Sequence, residues 1–154
     1  MEKNKESGRM TGFMRCWVAF GLVAVGIQGA AADGIQAGLW RVINKPVING
    51  TAGQTQQNMR CLTAADVADL DKTFSPVSRT VNSECERVEH EFTPQRLKWR
   101  LQCRGQLDMD VAGEFIFDAS DHYTGLVTAR SSMGGQLMQD VRTQIEGQWT
   151  GECR

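Results

Sequence analysis

Alternation of apolar and polar residues constrains the fold of this chain more than any other feature. From Leu97 to Trp149, apolar side chains recur at every second position along three segments. This period of two is typical of antiparallel strands that turn one face to a core and the other to water. Met133-Gly134-Gly135-Gln136 predicts a two-residue hairpin between strands, because both central glycines tolerate a positive φ.

The alternation and the turn residues together predict the strand order. The predicted strands are residues 39–43, 55–62, 85–92, 97–103, 107–117, 122–131 and 141–149. Pro46 and Asn49-Gly50 are expected to end the first strand. Thr63 and Asp66 predict a capped helix that ends before Pro76. The predicted fold is mainly β, a curved antiparallel meander sheet or partial barrel of about seven strands with one short helix and disulfide staples.

The first 32 residues have the layout of a secretory signal peptide. A basic lead is followed by the uncharged apolar stretch Cys16–Ile27 and by Ala30-Ala31-Ala32, which suits signal cleavage. We expect removal of residues 1–32, a single β-rich domain over residues 33–154, and a periplasmic or secreted location without a membrane span. An uncleaved anchor and a start at Met10 are the alternatives to this interpretation.

Four cysteines follow the leader, and four cysteines allow three pairings. In a meander, Cys85 and Cys103 lie at the same end of two neighbouring strands. Cys61 can meet Cys153 if the first hairpin packs beside the last strand. We therefore predict the disulfides Cys85–Cys103 and Cys61–Cys153 rather than a metal site.

The apolar register of these two strands conflicts with the first disulfide. It pairs Val88 with Leu101 and places Cys85 and Cys103 on opposite faces of the sheet. A β-bulge near Glu86, or a Cys85 just outside the strand, would remove the conflict.

No catalytic signature and no cofactor motif are evident in the sequence. The net charge of −1 and the lack of a basic stripe with interleaved aromatics argue against nucleic-acid binding. Aromatic residues on the apolar strand faces form either a core or a candidate ligand-cavity wall. These residues are Trp40, Trp99, Phe115, Phe117 and Trp149.

Two other kinds of site are conceivable. A hydrolase could use His122 with Asp118 and Asp121, and this hypothesis predicts that His90 and His122 both face one open cleft. A weak metal site could use the histidines, or Met133 and Met138 as soft ligands. More ordinary interpretations are a strand residue for His90 and a polar turn for His122.

The order of landmarks resembles that of a family. These landmarks are Gly38-Leu39-Trp40, Cys61-Leu62-Thr63, Trp99 before Cys103, Tyr123-Thr124-Gly125 and Gly147–Cys153. Over Ala37 to Arg154 the chain resembles the bacterial domain-of-unknown-function family 3617. The resemblance implies a periplasmic location and a β-rich fold but no activity. We expect a non-enzymatic domain that binds a small apolar ligand or an envelope protein.

Overall fold

The computed structural model describes residues 34–75, 79–80 and 83–153. The signal peptide expected over residues 1–32 lies outside the described residues and stays a prediction. Within the described ranges, no helix is long and apolar enough to cross a membrane.

One open antiparallel sheet dominates the described part of the chain. Its nine strands are β1 Gly38–Ile48, β2 Thr51–Ala52, β3 Gln56–Leu62, β4 Arg79–Thr80, β5 Ser83–Thr93, β6 Arg96–Gly105, β7 Asp108–Ala119, β8 His122–Met133 and β9 Gln136–Gly151. Eight of them follow the order β2-β1-β9-β8-β7-β6-β5-β4, and β3 pairs with β1. The mainly β, antiparallel prediction is confirmed. The seven predicted strands correspond to the seven long strands of the sheet, and β2 and β4 are additional two-residue strands without an alternation to reveal them.

Strands β5 to β9 form a meander, and the first hairpin extends the sheet beyond β9. Strands β5 to β9 pair consecutively, as predicted. Strand β1 lies between β3 and β9, so that Leu39 is opposite Cys61 on one side and Gly151 on the other. The last strand therefore joins the first, which brings the two ends of the domain together.

Pro46 does not end the first strand, contrary to expectation. Strand β1 continues to Ile48, with Pro46 opposite Thr143 of β9. Pairing with β3 stops at Asn44, and the Pro46 carbonyl accepts a bond from Gly53 N at 2.8 Å. The proline nitrogen thus faces the side where the β3 ladder has already ended. A missing N–H is tolerated at such an edge.

Two short helices replace the one helix that the sequence predicts. Helix α1 spans Ala64–Ala68 and begins with the predicted capping box between Thr63 and Asp66. The hydrogen bonds from Thr63 lower the pKa of the Asp66 carboxyl. Helix α2 spans Leu70–Phe74 and starts anew because Asp69 has φ −133° and accepts a bond from Lys72 N. An aspartate that caps a second helix cannot also continue the first.

The core lies on one side of the sheet, called here the inner face. Its fully buried side chains are Trp40, Leu62, Leu97, Phe117 and Tyr123. Part of this face is covered by Ile35, which precedes β1, and by two side chains of α2, Leu70 and Phe74. The opposite side, the outer face, carries the polar partners of the alternation. The sheet is thus covered only in part, which leaves room between α2 and the strands.

Candidate ligand cleft on the inner face

A row of three glycines shapes the inner face. Gly113, Gly125 and Gly147 stand directly opposite Trp99, Phe115 and Tyr123 on neighbouring strands. A Cβ atom at any of these glycines would collide with the ring of its partner. The three rings therefore lie against backbone where side chains would otherwise stand. We call Gly113, Gly125 and Gly147 the glycine row, and the three rings that lie on it the aromatic floor.

Helix α2 packs against the aromatic rings of the inner face through Phe74. The Phe74 ring contacts those of Phe115, Phe117 and Tyr123 at centroid distances of 5.1, 5.3 and 5.0 Å. The buried Trp99 indole N–H donates to the Phe74 carbonyl at 3.2 Å. These contacts fix the helix above the sheet without filling the space beside it.

A cleft of about 500 Å³ opens between α2 and the sheet. Its walls are Val42, Asn44, Asn58, Arg60, Thr73, Phe74, Ser75, Trp99, Val111, Phe115, Tyr123, Val127 and Ile145. This volume lies within the range of about 300–1,000 Å³ that is usual for small-molecule pockets. The lining is mostly apolar and aromatic. We call this space the inner cleft.

The polar groups of the inner cleft gather on the β1–β3 side. Asn58 lies opposite Val42 and Arg60 opposite Trp40, which places both residues toward the inner face. Arg60 donates to the Thr73 carbonyl at 3.4 Å, and its guanidinium carbon is 5.6 Å from the Phe74 ring centroid. The inner cleft therefore combines an apolar floor with hydrogen-bond donors at one rim.

A second cavity of about 380 Å³ lies on the outer face. Charged side chains form much of its wall, including Lys45, Glu114, Arg142 and Glu146, beside Ile116. Lys45 and Glu146 form an ion pair at 3.8 Å, with both side chains about half exposed. This outer groove is smaller and more polar than the inner cleft, so the inner cleft is the better candidate for an apolar ligand.

The five aromatic residues of the candidate cavity wall occupy three environments. Trp99 and Phe115 line the inner cleft. Trp40 and Phe117 are fully buried in the core. Trp149 is partly buried, and its indole N–H donates to the Ala37 carbonyl at 3.1 Å. The structure thus brings two of the five to the cleft, and it adds Phe74 and Tyr123.

Both disulfides of the structure have the predicted pairing. Cys61 is bonded to Cys153 and Cys85 to Cys103, across sequence separations of 92 and 18 residues. The Cys61–Cys153 bond links the end of β3 to the residues that follow β9. It therefore secures the strand that carries the polar rim of the cleft.

The predicted bulge exists, but at Val88 rather than near Glu86. Phe92 pairs with Leu97 and His90 with Trp99, as the apolar register requires. The register shifts between Arg87 and Glu89, and Cys85 then meets Cys103 directly. Pairing of Val88 with Leu101 was therefore wrong. Val88 is the extra residue, with 45% of its surface exposed on a segment of β5 that β4 does not reach, where a bulge costs little packing.

The two histidines do not meet in one cleft. His122 Nδ1 lies 2.7 Å from Asp118 Oδ1, beside the β7–β8 turn. His90 Nε2 lies 3.1 Å from Asp71 Oδ1 of α2. Partial burial raises the pKa of the Asp71 carboxyl, but the hydrogen bonds with Ser75 and His90 together outweigh it, so the pKa lies below its ordinary value. Among the hydrogen bonds of the described residues, none joins a serine or threonine hydroxyl to either histidine.

No group of three or more His, Cys, Asp or Glu side chains with metal-binding geometry occurs in the described ranges. Met133 and Met138 flank the predicted Gly134-Gly135 hairpin, whose φ values are +58° and +79°. Both methionines are exposed. The hairpin prediction is confirmed, and the thioethers stand near its tip.

Sequence reasoning missed Phe74, Tyr123 and Arg60 as cleft residues. Phe74 lies at the end of the second helix, which the sequence did not predict. Tyr123 was noted only within a motif. Arg60 could have been found, because alternation along 55–62 places it on the same face as Leu62.

The fold and the cleft define a small disulfide-bonded β domain with one open sheet and a partly helix-covered apolar cleft. The chain matches the family model described as Protein of unknown function (DUF3617) over residues 35–153, and it belongs to this family. The family resemblance seen in the sequence is thereby confirmed. No curated protein and no solved structure matches the chain.

Proposed function

We propose that this protein is exported to the bacterial periplasm and binds a small apolar ligand in the inner cleft, without catalysis. The observation that carries the ligand-binding part is the cleft itself, with its volume of about 500 Å³ and its aromatic floor. The glycine row holds Trp99 and Phe115 against the sheet, so the floor is fixed before a ligand arrives. A preformed apolar cavity with a few polar groups is the usual form of a small-molecule site.

Export is supported by the leader-like pattern of residues 1–32 and by the two disulfides. Disulfides persist in oxidising compartments such as the periplasm and are rare in the cytosol. Cell fractionation followed by N-terminal sequencing tests this part. We expect a mature chain that begins at Asp33. Cytosolic protein that keeps its first 32 residues would contradict export.

Ligand binding is tested with N-phenyl-1-naphthylamine, an uncharged apolar dye whose fluorescence rises in apolar sites. Val127 lines the inner cleft, and its neighbour Leu126 lines the outer groove. We expect the wild-type protein to bind the dye, Val127→Trp to lose binding, and Leu126→Trp to retain it. Circular dichroism and thermal unfolding establish that both variants are folded.

Two results would overturn this function. One is a folded wild-type protein that binds neither the dye nor any small molecule retained in a native mass spectrum of periplasmic material. The other is equal loss of dye binding in Val127→Trp and Leu126→Trp, which would locate binding outside the inner cleft.

Binding of an envelope protein is the second candidate, and the β3 edge favours it. In the described part of the chain, β3 pairs only with β1, its ladder contains no bulge, and residues 56–61 are exposed. A regular open edge can accept an added strand from a partner. Crosslinking from a photoreactive residue at position 59 in envelope preparations tests this candidate. Absence of a specific adduct would remove it.

A further inference from the structure

The β1–β3 rim of the inner cleft presents hydrogen-bond donors and no acidic group. Asn44, Asn58 and Arg60 lie on this rim, and the complete lining contains no aspartate or glutamate. The outer groove differs, because Glu114 and Glu146 stand beside its cations. The charge of the inner cleft lining therefore favours an anionic ligand.

Arg60 has binding capacity that the protein itself does not use. None of the ion pairs among the described residues includes Arg60. One of its N–H groups bonds weakly to the Thr73 carbonyl, and its stacking near Phe74 holds the planar group at the cleft mouth. A positioned guanidinium with free N–H donors matches the geometry of a carboxylate.

Tyr123 provides a second, independent observation. Its side chain is only 1% exposed and lines the cleft. Its hydroxyl makes no hydrogen bond to any described residue. Burial raises the pKa of Tyr123 to about 12, and the nearby charge of Arg60 offsets this rise only in part. The hydroxyl is thus protonated at neutral pH, and as an O–H donor in the cleft lining it can donate to a bound acceptor.

We propose that the natural ligand is an alkyl carboxylate, whose chain lies on the aromatic floor and whose carboxylate is bound by Arg60 with the Tyr123 hydroxyl as a further donor. This inference rests on the proposed function, since it names the ligand class of the same cleft. Asn44 and Asn58 flank the head group with amide donors. A cationic amphiphile would be repelled by the Arg60 charge, and a neutral one would form no ion pair with it.

Displacement of N-phenyl-1-naphthylamine by three matched amphiphiles tests the head group. The competitors are dodecanoate, dodecanol and dodecyltrimethylammonium, which share the chain and differ in charge. On the wild-type protein we expect dodecanoate to bind at least about tenfold more tightly than dodecanol, because charge-assisted hydrogen bonds are the strong ones. Dodecyltrimethylammonium should bind most weakly.

Arg60→Gln is the decisive variant, and Arg41→Gln is its control. Arg41 is exposed on the neighbouring strand and lies between Trp40 and Val42, so it faces away from the cleft. We expect Arg60→Gln to remove the preference for dodecanoate over dodecanol, and Arg41→Gln to keep it. Tyr123→Phe should lower dodecanoate affinity a few-fold without loss of thermal stability, since its hydroxyl has no partner to lose.

The outcomes separate the two claims. If the dye binds but dodecanoate and dodecanol compete equally, or if Arg60→Gln keeps the preference, the carboxylate proposal fails and the apolar cleft stands. If neither the dye nor any competitor binds the folded wild-type protein, the proposed function fails as well.

Discussion

The two faces of the sheet both contain a cavity, yet they are built in different ways. Buried aromatic rings on the glycine row form the floor of the inner cleft, and the indole of Trp99 ties that floor to α2. Exposed side chains such as Lys45 and Glu146 surround the outer groove. Exposed ion pairs rearrange at little cost, whereas close-packed rings do not. The difference indicates that only the inner cleft has a shape fixed by the fold.

Removal of the Cys61–Cys153 disulfide should destabilise the inner cleft more than any other change, because this bond anchors β3, the strand that carries Asn58 and Arg60. For the double variant Cys61→Ser/Cys153→Ser, we expect the free energy of unfolding to fall by about 4 to 5 kcal/mol in the loop-entropy model. Urea unfolding without reductant measures this change.

Removal of the other disulfide is the matched comparison. Cys85→Ser/Cys103→Ser opens a much shorter loop and should cost about 3 kcal/mol. A larger loss from this pair than from Cys61–Cys153 would show that chain entropy does not govern the two bonds.

Gly147→Ala should cause the next largest loss in unfolding free energy. A Cβ atom at residue 147 would strike the Tyr123 ring, which is buried beneath Phe74 and cannot move freely. We expect a loss of about 3 kcal/mol in unfolding free energy from overpacking.

The neighbouring outer-face change Glu146→Ala removes only the exposed pair with Lys45 and should cost less than about 0.5 kcal/mol. Thermal and urea unfolding of the two variants compare the faces directly. Similar losses at residues 146 and 147 would contradict the claim that the inner face is the rigid one.

Trp99→Phe probes the bond between the sheet and α2. The variant keeps an aromatic ring on Gly113 but removes the donor to the Phe74 carbonyl. We expect a loss of about 2 kcal/mol, from an unpaired carbonyl and a smaller ring. Lys98→Met, on the outer face of the same strand, loses only an exposed pair with Glu89 and should leave the unfolding free energy nearly unchanged. If Trp99→Phe costs no more than Lys98→Met, the indole bond does not hold α2.

The sequence was sufficient for features that depend on local pattern and chain direction. Alternation located the long strands, and strand direction predicted both disulfides. It could not reveal β2 and β4, because two-residue ladders have no period. It offered a bulge near Glu86 as one of two ways to reconcile the register with the disulfide, and the bulge lies at Val88, because the register of an exposed strand segment is weakly constrained by burial. The glycine row depends on pairing between strands, which composition alone does not show.

A small, pH-dependent effect is expected on the outer face, at the Arg100–Asp110 pair, whose Nε to Oδ1 distance is 2.8 Å. The hydrogen bonds from Arg100 hold the pKa of Asp110 below its ordinary value of 3.8, and partial burial opposes them only in part. A carboxyl whose pKa is lower in the folded state stabilises the fold above its unfolded pKa. That stabilisation is lost as the pH falls through the lowered folded value.

We therefore expect wild-type stability to drop more than that of Asp110→Asn between pH 6 and pH 2. The difference should stay below about 1 kcal/mol, because the Arg100 and Asp110 side chains are 44% and 32% exposed. Urea unfolding across this pH range measures it, and added salt should shrink it further. A difference as large as the Gly147→Ala loss would mean that the outer face is as tightly organised as the inner one, and the contrast between the two cavities would then have to be abandoned.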